Sequence, residues 1–371
     1  MEEYLEALRC ELDLGEVIGS TLDTLYLGGG TPSRLGGLGV RELLTAVRGR
    51  ATISADAEVT IEANPDDVND MAVAHWVTAG VNRVSLGSQS FDETVLTWMH
   101  RTHNSAQIGQ AVRTLRRGGI ENISLDLIFA LPAHLKRSWE SDLLRTLDLD
   151  PAHVSLYGLT VEAQTPLARW ADRGAIVQGT EESYEEEFLT AHETMSAAGF
   201  EHYEVSNFAR LGRTSRHNSA YWTGARYVGI GPSAHSFDGA KRRWNVSAYS
   251  EWIRRLGRGE SVISGTESLT DENRALEEVY LGLRTQGGLA VADDELSRVR
   301  SWVSAGWALI EEREGRGKRE EERVAALPPS LRLRLTPTGW LRLDSLAADL
   351  AAQRARFVTA AVGPTPSHCY I

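Results

Sequence analysis

The chain has 371 residues, 42% of them apolar, and a formal net charge of −12. That length suits one large domain plus a smaller one, and the acidic balance disfavours a general binder of phosphate backbones. No apolar run reaches the ~18 residues of a membrane helix, so no transmembrane segment is expected; peripheral membrane contact stays open.

The N-terminal stretch MEEYLEALRCEL reads as an acidic helix and has the character of neither a signal nor a transit peptide. A cytoplasmic location is expected. The two cysteines are Cys10, in that helix, and Cys369, in the tail. A disulfide between them is not expected in a reducing compartment. No CxxC or CxxxC pair occurs, so counting excludes a zinc or iron–sulfur site built from these thiolates alone. The basic runs Arg113, Arg116, Arg117 and Lys241 to Arg243 read as solvated faces, and no nucleic-acid partner is expected.

Along the first half, one unit recurs: a short β-branched run, a Gly/Pro/Asn/Asp loop, then an amphipathic helix. The strands are expected at 22–27, 58–63, 82–87, 122–129 and 153–159, with a weaker one at 202–208. Helical patterns such as GVRELLTAVRGR, NDMAVAHWVTAG, SAQIGQAVRTLRRGG and SWESDLLRTLDLD lie between them. Strands alternating with helices imply parallel pairing through right-handed crossovers. NISLDLIF looks nearly continuous in its apolar character, as a strand covered on both faces would. The fold class read from this is α/β: a partial parallel barrel of the TIM kind, open rather than closed.

The second half changes character. After the acidic helix EESYEEEFLTAHETMSAAG comes a Gly-, Arg- and aromatic-rich stretch from about residue 207 to 245. Helices are expected near 248–257, 271–284 and 293–313. The segment 315–330 reads as a charged, Pro-containing linker, and RLRLTPTGWLRLDSLAADL as strand, turn and helix. Together these suggest a small helical, winged-helix-like C-terminal domain, followed by a tail without fixed order.

In parallel barrels, function collects in the loops after the strands' C-terminal ends. Here the first strand runs into GGGTPS, with Gly29, Gly30 and Thr31. Such a loop lets backbone amides approach a ligand, although it serves equally as a tight turn. The second strand ends in EANP with Glu62, the third in GSQSF with Gln89, and the fourth carries Asp126. Carboxylates inside apolar runs are costly unless bonded or bound to a ligand. Singly, each is as compatible with a structural hydrogen bond. Four consecutive strands presenting such groups point instead to a ligand bearing ammonium and hydroxyl groups, such as an amino acid joined to a ribose. Arg101, in WMHRTH, is a candidate partner for a ligand carboxylate or a plain surface arginine. His100 and His103 flank it and carry no assigned role.

LYLGGGTPS, IEANPDD, NRVSLGSQSF, MHRTH and LDLIFALP occur in this order, and with them the chain resembles the radical S-adenosylmethionine superfamily. The resemblance is to the branch of oxygen-independent coproporphyrinogen III oxidases and HemW-type haem chaperones, and it spans about residue 4 to about residue 345. It implies that Gly29, Gly30 and Thr31 contact the amino group of S-adenosylmethionine, and that Glu62, Gln89, Arg101 and Asp126 line the rest of its pocket. Thr160 and His235 are weaker carry-overs. RHNSAYW, with His217, Asn218, Tyr221 and Trp222, resembles the HNxxYW motif of the haem chaperones. An imidazole is a good axial iron ligand, and Tyr and Trp pack on a porphyrin face; a capped aromatic turn is the structural alternative.

The resemblance also implies a 4Fe-4S cluster held by a CxxxCxxC segment after a first strand. Neither is found in these residues, so no reductive cleavage of adenosylmethionine is expected from them. A start site placed too late is the preferred explanation, with true truncation as the other. The expected division is 1–210 for the part-barrel, 211–260 for the HNxxYW region, 261–357 for the helical domain and 358–371 for the tail. The expected function is a haem chaperone that passes haem to an unidentified acceptor protein. The alternatives are a coproporphyrinogen III oxidase of porphyrin biosynthesis and an inactive remnant.

Overall fold

Five β-branched runs become five parallel strands. The structure, a computed structural model, describes residues 2–14, 17–162, 165–174, 176–313 and 330–361. Contacts divide the chain into two units, Met1–His202 with Ser206–Glu267, and Tyr203–Val205 with Ser268–Ile371.

The first unit opens with α1 (Glu2–Leu12), β1 (Thr21–Leu27), α2 (Gly36–Arg48), β2 (Thr52–Ala63), α3 (Asp70–Thr78) and β3 (Arg83–Gln89). Next come α4 (Glu93–Trp98), α5 (Ser105–Arg117), β4 (Asn122–Phe129), α6 (Trp139–Asp148) and β5 (His153–Gly158). They are followed by α7 (Pro166–Asp172), α8 (Glu181–Ala197), β6 (Glu201–Glu204), β7 (Asn207–Ala209) and α9 (Arg216–Trp222). The unit closes with β8 (His235–Phe237), β9 (Lys241–Asn245), α10 (Tyr249–Gly257) and β10 (Ile263–Ser268).

The seven-stranded sheet runs β1-β2-β3-β4-β5-β7-β6. Its first five strands pair in parallel, while β7 is antiparallel to β5. With β1 and β6 outermost, the sheet is open. A second sheet of three strands runs β10-β9-β8.

Alternate residues of each parallel strand face opposite sides. Val59, Ile61, Val84, Leu86, Ile123, Leu125 and Leu127 are buried on the helix-covered side. The other side is polar yet also buried at Thr60, Ser85 and Ser124, so NISLDLIF is covered on both faces as expected, its inner face lined by Asn122, Ser124 and Asp126 beside Thr60, Glu62 and Ser85 rather than by apolar groups. On the outside, α1 packs through Leu5, Leu8 and Leu12 onto a cluster that includes Val47, Val246 and Trp252. It is fixed there by Glu11, a buried carboxylate that accepts hydrogen bonds from Gly231 N (2.9 Å), Asn245 Nδ2 (2.6 Å) and Trp252 Nε1 (2.8 Å).

The second unit holds α11 (Asp271–Arg284), β11 (Leu289–Ala290), α12 (Leu296–Ser304), β12 (Ala308–Arg313), β13 (Ser330–Leu335), α13 (Pro337–Trp340) and α14 (Leu343–Ala361). Its three strands form an antiparallel sheet in the order β11-β13-β12. The helix expected over 293–313 ends early. Gly306 turns at φ +77°, and ALIEER then pairs with β13 as a strand. Most of the 315–330 linker and residues 362–371 of the tail, with Cys369, lie outside the described residues; α14 runs to Ala361.

Candidate functional site

The register of the parallel strands stacks the inner face into rows. Thr24 stands beside Glu58. The next row is Tyr26, Thr60, Arg83 and Asn122. Above it are Glu62, Ser85, Ser124 and His153, and then Asp126 beside Ser155.

Glu62 is the hub of the strand-end group. Its carboxylate accepts from Tyr26 Oη (2.8 Å) and from Gly29 N (3.2 Å). Burial pushes the Glu62 carboxyl up, and nearby Asp126 adds to that, while the two donors oppose it. Tyr26 is in turn held strongly protonated by burial and by the adjacent carboxylate. The glycine loop has two distinct reasons for its residues. A Cβ on Gly28 would lie 2.5 Å from the Tyr26 ring and 3.0 Å from Glu62 Oε1. Gly29 has φ +108°, a conformation that favours glycine. Around Gly30 a Cβ would meet nothing within 4 Å, and the Thr31 hydroxyl caps no helix. The loop thus leaves open space beside Gly30, while the Gly29 amide is turned inward onto Glu62.

Asp126 accepts from Ser85 Oγ (2.9 Å) and Ser124 Oγ (3.0 Å). Burial raises its pKa, against the pull of those hydroxyls and of the Arg83 charge. Gln89 ends β3 at φ +65°, after a register shift against β4. A non-glycine residue in that region is a strained, over-determined position, and bulges of this kind cluster at sites. The Gln89 side chain folds back so that a Cβ on Gly87 would meet its Nε2 at 2.9 Å. Arg101 is half-buried and, among the described residues, has no ion-pair partner within 4 Å; desolvation lowers its pKa and the charge of Asp66 opposes that. Its segment is tied down by Thr102 Oγ1 donating to Asp66 (2.7 Å). His103 is buried, with its Nε2 3.4 Å from the Ser88 carbonyl.

RHNSAYW forms α9, whose N-terminus is capped by a residue the sequence reading passed over. Glu58 accepts from His217 N (2.9 Å) and Arg216 N (3.0 Å). His217 enters the inner face. Its Nδ1 is 2.8 Å from Thr24 Oγ1, its Nε2 is 3.0 Å from Tyr221 Oη, and its ring stacks on Tyr26 at 5.0 Å. Burial lowers its pKa, which keeps the imidazole neutral. Tyr221 meets Tyr227 edge-on at 4.8 Å. Asn218 and Trp222 sit half-buried on the same helix, with Asn218 N bonded to Ser215 Oγ (3.3 Å).

The structure therefore gathers Gly29, Glu62, Asp126 and His217 around one polar interior, joined through Tyr26. Thr160 lies exposed in the loop after β5, bonded to the Gly158 carbonyl at 3.4 Å. His235 is on β8 of the smaller sheet, stacked on Trp244 at 6.0 Å. Neither has a described bond to the strand-end group. Sequence reasoning missed Thr24, Tyr26, Glu58 and Arg83. For Thr24, Tyr26 and Glu58 a signal was present: polar residues recur at every second position of TLYL, EVTIEA and NISLDL.

No group of three or more His, Cys, Asp or Glu side chains among the described residues is placed to hold a metal ion, and Cys10 is exposed on α1. No described helix is long and apolar enough to cross a membrane.

Residues 6–144 match the radical SAM superfamily. The chain is 35% identical over 293 residues to the heme chaperone HemW of Synechocystis sp., which covers 78% of this chain and 71% of that protein. With the heme chaperone HemW of Lactococcus lactis it is 33% identical over 291 residues, covering 78% of this chain and 76% of the other. Among solved structures, coproporphyrinogen III oxidase (HemN) from Escherichia coli, a radical SAM enzyme, shares the fold with a TM-score of 0.73. It is 20% identical and covers 94% of this chain and 82% of its own.

Proposed function

This chain belongs to the HemW family within the radical SAM superfamily, and from that premise we propose that it binds haem on α9 and passes it to an acceptor protein, with an S-adenosylmethionine pocket at the strand ends. The observation that carries the reading is the position of His217. A neutral imidazole from RHNSAYW stands against the inner face, stacked on the tyrosine that bonds Glu62. A neutral imidazole is the protonation state that can bind iron.

The strand-end residues fit adenosylmethionine. The Glu62 carboxylate beside the glycine loop suits an ammonium group, and the Arg101 guanidinium suits a carboxylate. Gln89 and Asp126 supply polar groups for the ribose. A four-iron cluster is another matter. The 371 residues contain two cysteines, so its thiolate set is not among them, and no step is assigned to it. What these residues do is bind, orient and keep a ligand away from water.

The test is haem titration of the full chain and of His217→Ala, followed by Soret absorbance. Weaker binding by the variant, with far-UV circular dichroism unchanged, supports the reading. Unchanged haem affinity removes His217 from the site. Turnover of coproporphyrinogen by protein that retains no haem overturns the chaperone assignment.

A further inference from the structure

Between the α9 contact and the strand-end group lies the row Tyr26, Thr60, Arg83 and Asn122. Arg83 is 1% exposed. Its Nε has no hydrogen-bond partner, and among the described residues no carboxylate stands within 4 Å of its guanidinium. Its register neighbours share this condition. Thr60, beside it on β2, and Asn122, beside it on β4, each hold a buried oxygen without a partner, Thr60 Oγ1 and Asn122 Oδ1.

Three adjacent residues with unsatisfied buried polar atoms are not packing noise, because buried polar groups are almost always bonded. A buried guanidinium with no carboxylate in direct contact, only the more distant charge of Asp126, is the most costly of them. The acids nearest in the rows are committed elsewhere. Asp126 is held by Ser85 and Ser124, Glu62 by Tyr26 and Gly29, and Glu58 by the backbone of α9. The neighbouring imidazoles of His153 and His217 are kept neutral by burial, with the Arg83 charge contributing. The Arg83 fork is flanked by a hydroxyl donor and by an amide that can turn either end toward a ligand. That donor set matches a carboxylate, which a guanidinium binds through two parallel hydrogen bonds.

We propose that Arg83, with Thr60 and Asn122, is a carboxylate subsite inside the half-barrel, and that it takes a propionate arm of the haem. The identity of the ligand rests on the haem reading above; the subsite itself does not. Free small carboxylates offer the same chemistry, so the test separates the two.

The full chain and Arg83→Gln are titrated with haem and with haem dimethyl ester, in which both carboxylates are masked. The expected result is that the natural protein prefers the free acid by about tenfold or more, and that Arg83→Gln loses this preference while binding the ester as before. In parallel, sodium acetate is added during thermal unfolding of both proteins. An acetate-dependent rise in Tm in the natural protein alone, without haem discrimination, keeps the subsite and overturns its assignment to a propionate. No discrimination and no acetate effect overturn the proposal altogether. If neither haem form binds, the haem reading fails and the acetate arm alone decides the subsite. Should Arg83→Gln fail to fold by circular dichroism, Arg83→Lys serves. It keeps the charge, loses the fork, and is expected to show a reduced preference; a full preference in Arg83→Lys counts against the forked contact.

Discussion

Replacing Glu58 tests whether the placement of α9 is set by β2. The Glu58 carboxylate is buried and takes two backbone amides, His217 N at 2.9 Å and Arg216 N at 3.0 Å; Ser215 Oγ at 3.5 Å adds little. Hydrogen bonds to a charged acceptor contribute about 1.5–3 kcal/mol each, so two of them bound the loss at about 3–6 kcal/mol. Arg216 is exposed and His217 half-buried, so water recovers part of this in the variant. Glu58→Ala should then cost about 2–4 kcal/mol, and Glu58→Gln, which keeps one acceptor oxygen, about half as much. The assay is urea unfolding followed by far-UV circular dichroism on the transition that carries the parallel sheet, with the midpoint read at constant slope. Haem binding should weaken alongside, because the same contact aims His217 at Thr24. A change below about 0.5 kcal/mol for Glu58→Ala, the size of an ordinary surface substitution, would refute the cap and with it the account of how α9 is positioned.

Glu11→Ala strips three buried donors of their acceptor and should cost about 3–5 kcal/mol; a urea midpoint near that of the natural protein would show that α1 is held by its apolar face alone. Adenosylmethionine affinity should rise with pH. Burial lifts the Glu62 carboxyl above its ordinary range, so the acid is neutral at low pH and becomes an ammonium partner only as pH passes through the raised value. The stability linkage has the opposite sign. With the folded pKa raised, the contribution of Glu62 to stability is complete below the unfolded value of about 4.3 and is lost as pH rises through the folded one. Calorimetric titration from about pH 5 to about pH 8 checks the affinity, and a flat profile contradicts it. Gly87→Ala places a methyl 2.9 Å from Gln89 Nε2; it should weaken adenosylmethionine binding severalfold while thermal stability changes by less than about 1 kcal/mol, and unchanged binding would take Gln89 out of the pocket.

The strands were legible because each is a β-branched run between turn residues. β4 matches its expected bounds, and β1, β3 and β5 differ by one or two residues. β2 begins six residues before its expected start, at Thr52 rather than 58, because its first half is exposed and lacks an apolar pattern. HYEVSNF reads as one strand but splits into β6 and β7. The glycine loop, Glu62 and Asp126 were visible as polar groups at the ends of apolar runs. Arg83 was not, because an arginine next to an Asn at a strand start looks like a surface residue until register places it inside. Nor could His217 be placed: its partner Thr24 is 193 residues away, and no local pattern encodes a contact of that range.

The bonds to His217 also say which nitrogen is free to change partner. Both ring nitrogens are engaged, Nδ1 with Thr24 Oγ1 at 2.8 Å and Nε2 with Tyr221 Oη at 3.0 Å. A neutral imidazole has one lone pair in the ring plane, and iron needs it. Thr24 belongs to β1 and is fixed by the sheet, whereas Tyr221 is an exposed residue on a helix of two turns. Metal-bound histidines characteristically donate their other ring N–H to a fixed acceptor, and Thr24 Oγ1, 2.8 Å from Nδ1, is placed to accept it in the tautomer that protonates Nδ1. On the haem reading, Nε2 therefore faces the iron and Tyr221 gives way. Tyr221→Phe removes a competitor for the lone pair and should leave haem affinity equal or raised, while Thr24→Val removes the orienting acceptor and should lower it severalfold, within the range seen for outer partners of metal ligands. The opposite ranking in Soret titrations, with Tyr221→Phe the weaker binder, would mean that the tyrosine contacts the porphyrin itself and that the ligand nitrogen has been assigned the wrong way round.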